Sequence, residues 1–199
     1  MLASSEKKTL IIAAATSLFT RFGYTKSSME EIANSAGIGK ATIYYYFQCK
    51  EDIFLEVVRI KTEEFFGMLR ERINASDGFE DKLGEFLRLP VKYINDHMPM
   101  LVDAMNAIPL SYQNRVEESC LSNRNQMYDI LREIMDIGIE QNALAEDFDS
   151  ARISQIINDW FLLTDTSFVL NDEVRLIKRI ERDHEFLINM ILYGIIKRG

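Results

Sequence analysis

Residues 25–47 read TKSSMEEIANSAGIGKATIYYYF, and their spacing predicts two short helices around a tight turn. Ser27 stands three residues before Glu30, and Ser28 three before Glu31, so either pair can form the reciprocal cap that starts a helix. Met29, Ile32, Ala33 and Ala36 then recur at helical spacing and give that helix one apolar face. Gly37 supplies the backbone freedom a sharp turn requires, with Gly39 closing the turn two residues on. From Gly39 to Phe47 the chain restarts as a helix of about two turns. Ile43 and Phe47 share a face that can pack back on the preceding helix, which leaves Lys40, Thr42, Tyr44 and Tyr45 pointing outward.

Three consecutive tyrosines beside lysines are a poor choice for a surface that meets only water. A phenol donates a hydrogen bond from a rigid arm with few rotamers to freeze, and its ring packs on sugars or a thymine methyl, so such a surface suits DNA. Taken alone, the same residues suit a core or a protein interface equally well. Their register decides between these readings. The chain carries Ile12-x-Ala14-Ala15-x-x-Leu18-Phe19-x-x-x-Gly23-Tyr24, then Met29-x-x-Ile32-Ala33-x-x-Ala36-Gly37, then Lys40-x-x-Ile43-Tyr44-x-Tyr46-Phe47-x-x-Lys50-Glu51-x-x-Phe54. Over Thr9 to Phe54 this pattern resembles the DNA-binding domain of the TetR family of transcriptional regulators. The resemblance implies an all-α fold, with a three-helix helix-turn-helix head at residues 1–50 and a larger helical effector-binding and dimerisation domain at 51–199. It also implies that Lys40, Thr42, Tyr44 and Tyr45 face the major groove of double-stranded operator DNA, with Ser28 and Lys50 on backbone phosphates at helix N-termini. Ala41 stands where relatives often have glycine, and Cys49 where they usually have a helix-capping residue.

The formal charge of −8 argues against nucleic acid only when taken as a whole. Residues 1–50 carry Lys7, Lys8, Arg21, Lys26, Lys40 and Lys50 against Glu6, Glu30 and Glu31, a local +3 that leaves −11 to the remainder. Binding follows the local field, so a basic head on an acidic body remains a DNA reader. The N-terminal MLASSEKK is polar, and the apolar run Leu10 to Ala15 is too short for a signal or a membrane span. A cytoplasmic protein with no membrane partner is expected. Two cysteines, Cys49 and Cys120, are too few for a disulfide framework.

Around the head, residues 5–22 predict a first helix with Leu10, Ala14, Leu18 and Phe22 as its supporting stripe. A helix from about Lys50 to Ile73 should link head to body. Another helix, bearing Leu83, Phe86 and Leu87, must tolerate Pro90, and the prolines at 99 and 109 bracket a separate short piece, Met100 to Ala107. A long amphipathic stretch follows from about Tyr112 to Gln141, with Asn123 the polar member of an apolar stripe. Acids at Glu146, Asp147 and Asp149 start a penultimate helix whose centre is apolar all round. The last helix carries Ile177, Ile180, His184, Leu187, Ile191 and Ile195 on one continuous stripe. Packed against their symmetry mates, these last two helices predict a homodimer closed by a four-helix bundle.

No catalytic constellation emerges, and His97 and His184 lack a second ligand at helical spacing, so neither an enzyme, a metal site nor a cofactor is expected. Phe65, Met68, Phe86, Tyr93, Met105, Met127, Trp160 and Phe161, together with Asn123, offer adaptable apolar wall for a largely apolar small-molecule effector, although the same residues read equally as plain core. Cys49 is open to two readings: an inert substitution, or a thiol activated by its helix N-terminus and Lys50 as an oxidation sensor. The reading these observations support is a dimeric regulator, a repressor released by its effector. The rivals are a small-molecule carrier that has lost DNA binding and a bundle enzyme using Asp159 and Asp165.

Overall fold

The computed structural model describes residues 4–144 and 149–161, and every element among them is an α-helix. These are α1 (Ser4–Phe22), α2 (Met29–Ser35), α3 (Lys40–Tyr46), α4 (Lys50–Ala75), α5 (Phe79–Met105), α6 (Leu110–Glu140) and α7 (Ser150–Phe161). The described residues form two compact units. The first joins residues up to Glu63 with His97–Val116, and the second joins Glu64–Asp96 with residues from Glu117 onward. The functional division at residues 1–50 and 51–199 remains a proposal; packing adds the end of α5 and the start of α6 to the head.

Of the two candidate capping pairs, Ser28 with Glu31 forms. The Ser28 hydroxyl accepts from the Glu31 N–H at 3.2 Å, and the Glu31 carboxylate accepts from the Ser28 N–H at 2.8 Å. Ser27 is instead buried, and its hydroxyl donates to the Gly23 carbonyl at 2.8 Å. Gly37 ends α2 with φ +67°, a left-handed conformation in which a side chain is strained. Ile32 and Ala33 from α2, and Ile43 and Phe47 at α3, are buried as their spacing predicts.

The first helix corrects the expected stripe. Ile11, Ile12, Ala15 and Phe19 form its buried face, whereas Leu10 and Phe22 are exposed. Ala14 belongs to both sets, so the inward face is turned by about one residue, or roughly 100°. A second correction concerns α5, which runs unbroken through Pro90 and Pro99, so Met100 to Met105 is its last part and not a separate helix. Each proline removes one backbone bond, a loss that the tertiary packing of a 27-residue helix absorbs.

In the second unit, Phe65, Phe66, Leu69, Leu83, Phe86, Leu87, Met127, Ile130, Leu131 and Ile134 from α4, α5 and α6 make one core. Asp149 starts α7 by accepting from the Arg152 N–H at 3.0 Å.

Candidate nucleic-acid interface

The first unit holds α3 by its buried side and leaves its other side to solvent. Tyr45 is 81% exposed and Tyr44 47%, with Tyr45 resting edge-on against Tyr46 at 5.1 Å between ring centroids. Thr42 is half-buried and Lys40 exposed. The Lys40 ammonium pairs with Glu30 at 3.5 Å, both side chains being about two-thirds exposed, and an ion pair so solvated contributes little. It yields readily to a phosphate. Gly39 precedes α3 with extended backbone, so its turn with Gly37 aims the helix without a capping side chain. The four residues expected to face the groove thus lie on one short helix, next to the capped start of α2 at Ser28.

Lys50 is placed differently from the expectation. Its ammonium turns inward, donating to the carbonyls of Tyr24 at 2.9 Å and Ser27 at 2.8 Å, and lies 4.0 Å from the centre of the Tyr24 ring. Burial pulls this amine below the usual lysine range, against the attraction of Glu51, Asp103 and Glu31. A charge with two carbonyl acceptors and a ring face is already satisfied, so in this structure Lys50 braces the α1–α2 corner and is not directed at a phosphate. Replacing Lys50 by Met should lower the stability of the head by about 1–3 kcal/mol by leaving carbonyls unsatisfied. The log–log salt slope of DNA binding should change by less than about one charge. A slope reduced by a full charge with stability intact would return Lys50 to the phosphate backbone.

Cys49 sits at the entry to α4 with its sulfur 3.2 Å from the Tyr112 hydroxyl, which in turn donates to Asp52 at 3.1 Å. Arg115 approaches the same Asp52 oxygen at 3.8 Å. Burial pushes the Cys49 thiol up, and Lys50 is engaged elsewhere, so the thiolate an oxidation sensor requires is disfavoured. These surroundings favour the inert reading. Tyr112 and Asp52, which sequence reasoning passed over, tie the start of α6 to the start of α4 within the first unit.

Of the candidate effector residues, Phe65, Phe86 and Met127 lie together in the core of the second unit. Tyr93 packs against that core, its ring 4.8 Å from Phe65, and burial and the charge of Glu64 hold its phenol above the ordinary tyrosine range. Asn123 is half-buried and Met68 exposed. Met105 is buried but belongs to the first unit. The side chains of Trp160 and Phe161, and all of Ile177, Ile180, His184, Leu187, Ile191 and Ile195, lie outside the described residues.

Residues 11–57, which contain α2, α3 and the corner that Lys50 braces, match the family model of bacterial regulatory proteins of the tetR family. Over those residues the chain is similar to the DNA-binding domain of that family. A fatty acid metabolism regulator protein of Bacillus subtilis is 28% identical over 82% of this chain and 84% of its own length. Among solved structures, a transcriptional regulator from Cytophaga hutchinsonii aligns with a TM-score of 0.78 at 22% identity, over 95% of this chain and 98% of that one. The regulator FadR from Bacillus subtilis, solved with stearoyl-CoA, aligns with a TM-score of 0.61 at 24% identity, over 94% and 98% of the two chains. The likeness to these solved structures is one of fold. No described helix is long and apolar enough to cross a membrane.

Proposed function

We propose that this chain is a homodimeric repressor of the TetR family, in which α3 reads each half of a palindromic operator and a long-chain acyl effector held by the second unit releases it. The observation that carries the DNA-reading part is the exposure of Tyr44 and Tyr45 on a helix whose other side, Ile43 and Phe47, is buried. Rings left in water at that position are accounted for by a partner that covers them. Lys40 and Thr42 extend the surface, and the N-terminus of α2 at Ser28 offers backbone N–H groups and a positive dipole end to a phosphate. Two heads related by a twofold axis place half-sites about 34 Å apart, or a multiple of one turn.

The acyl class is supported by the apolar cluster around Phe65, Phe86 and Met127 and by the fatty acid metabolism regulator's similarity along most of the chain. An effector that prefers the DNA-free arrangement weakens operator affinity by its differential binding free energy. The test is fluorescence anisotropy on a duplex from upstream of the protein's own gene, first against salt and then against palmitoyl-CoA with free coenzyme A as control. Selective binding that falls linearly with salt on log–log axes, and release by palmitoyl-CoA alone, is the expected result. Equal affinity for any duplex favours the carrier. Selective binding unmoved by palmitoyl-CoA removes the acyl class and keeps the repressor.

A further inference from the structure

The corner between α1 and α2 is held from a place the DNA-reading motif does not include. Asp103, in the last turn of α5, accepts from the Thr25 backbone N–H through Oδ2 at 2.8 Å and from the Thr25 hydroxyl through Oδ1 at 2.9 Å. Seventy-eight positions separate the partners, and both belong to the first unit. Gly23 makes the approach possible: its φ of +86° suits glycine, and a Cβ there would stand 2.8 Å from the same Oδ2. From the other side Lys50 holds the carbonyls of Tyr24 and Ser27, while Tyr24 donates its phenol proton to Glu51 at 2.9 Å. Three residues after Thr25, Ser28 starts α2. A carboxylate in the last turn of a helix is opposed by the helix dipole, so Asp103 is unfavourable for α5 taken alone. Its two charge-assisted bonds and the nearby Lys50 charge offset that cost.

We propose that Asp103 is a positioning residue for DNA reading: clamped on Thr25, it fixes the corner from which α2 and α3 are presented to the operator. The inference rests on the operator-binding reading and adds a residue that touches neither DNA nor effector. Without the clamp, the N–H and hydroxyl of Thr25 turn to water and the corner samples more conformations. That freedom has to be lost again when α2 and α3 seat on DNA.

Charge gives the test its sign. Removing a carboxylate from the head should, by electrostatics alone, tighten binding to a polyanion. The clamp requires the reverse. Asp103→Asn should weaken operator binding about tenfold, Thr25→Ala about threefold, and Thr25→Ser should restore wild-type affinity. The double variant Asp103→Asn, Thr25→Ala should be no weaker than Asp103→Asn alone. Hydrogen exchange supplies a readout independent of DNA: the Thr25 amide should be protected in the wild type and exposed in Asp103→Asn, with the α3 amides unchanged. Operator binding that is unchanged or tighter in Asp103→Asn overturns the positioning role, and a Thr25 amide unprotected in the wild type overturns the clamp itself. A wild-type protein with a protected Thr25 amide but no selective duplex binding overturns the positioning role together with the operator reading, and leaves the clamp as architecture.

Discussion

A variant carrying Tyr44→Ala and Tyr45→Ala is expected to bind its operator about 100-fold more weakly than wild type, with each ring contributing roughly 1–3 kcal/mol through groove and phosphate contacts. The expectation follows from what the rings do without DNA. Tyr45 is four-fifths exposed and meets Tyr46 only edge-on, and Tyr44 is half exposed, so truncation opens no cavity in the head. Ile43 and Phe47, which hold α3, are untouched. Alanine favours helix over tyrosine by a few tenths of a kcal/mol, which further protects the fold. The melting temperature should therefore shift by less than about 4 °C while affinity collapses. Anisotropy titrations at one fixed salt, paired with thermal melts, make the comparison. Should the variant bind as tightly as wild type, α3 is not the reading helix; should it melt far lower, the rings support the fold and the interface must be sought elsewhere.

The parts of this head legible in sequence are those decided by residues a few positions apart. The Ser28–Glu31 box, the Gly37 turn and the burial of Ile43 and Phe47 each follow from spacings of two to four residues, because capping and helical periodicity act over one turn. The inward face of α1 is not legible in its sequence because the run from Leu10 to Ala15 is apolar on adjacent faces. Which face is covered depends on α2 and α4, not on α1. Pro90 and Pro99 read locally as a bend and a break, yet tertiary packing carries α5 through both. Lys50 announces its charge but not its direction, and its two carbonyl acceptors lie 26 and 23 residues upstream. Asp103 leaves one local trace, an acid where the α5 dipole disfavours one, while its partner Thr25 is beyond any pattern of short period.

Phe54→Ala should destabilise the first unit by about 3–5 kcal/mol, the largest loss expected from any single truncation in the head. Phe54 is fully buried near the start of α4 and closes a triangle of rings, 6.1 Å from Phe19 and 5.2 Å from Tyr24, with Phe19 and Tyr24 themselves 5.4 Å apart. All three pairs are tilted or edge-on, the arrangement that ring quadrupoles favour. Tyr24 also carries the charge of Lys50 over its face and the bond from its hydroxyl to Glu51, so a cavity beside it loosens the corner that presents α2. Phe54→Leu keeps most of the volume and should cost about 1–1.5 kcal/mol. Equilibrium denaturation should show the midpoint of the head transition falling with its slope unchanged. Operator affinity should fall in step with the population of folded head, so enough stabilising osmolyte to refold the variant should recover binding, whereas the Tyr44 and Tyr45 variant should not respond. A loss below about 1 kcal/mol for Phe54→Ala would mean that the ring triangle is not the core of the head.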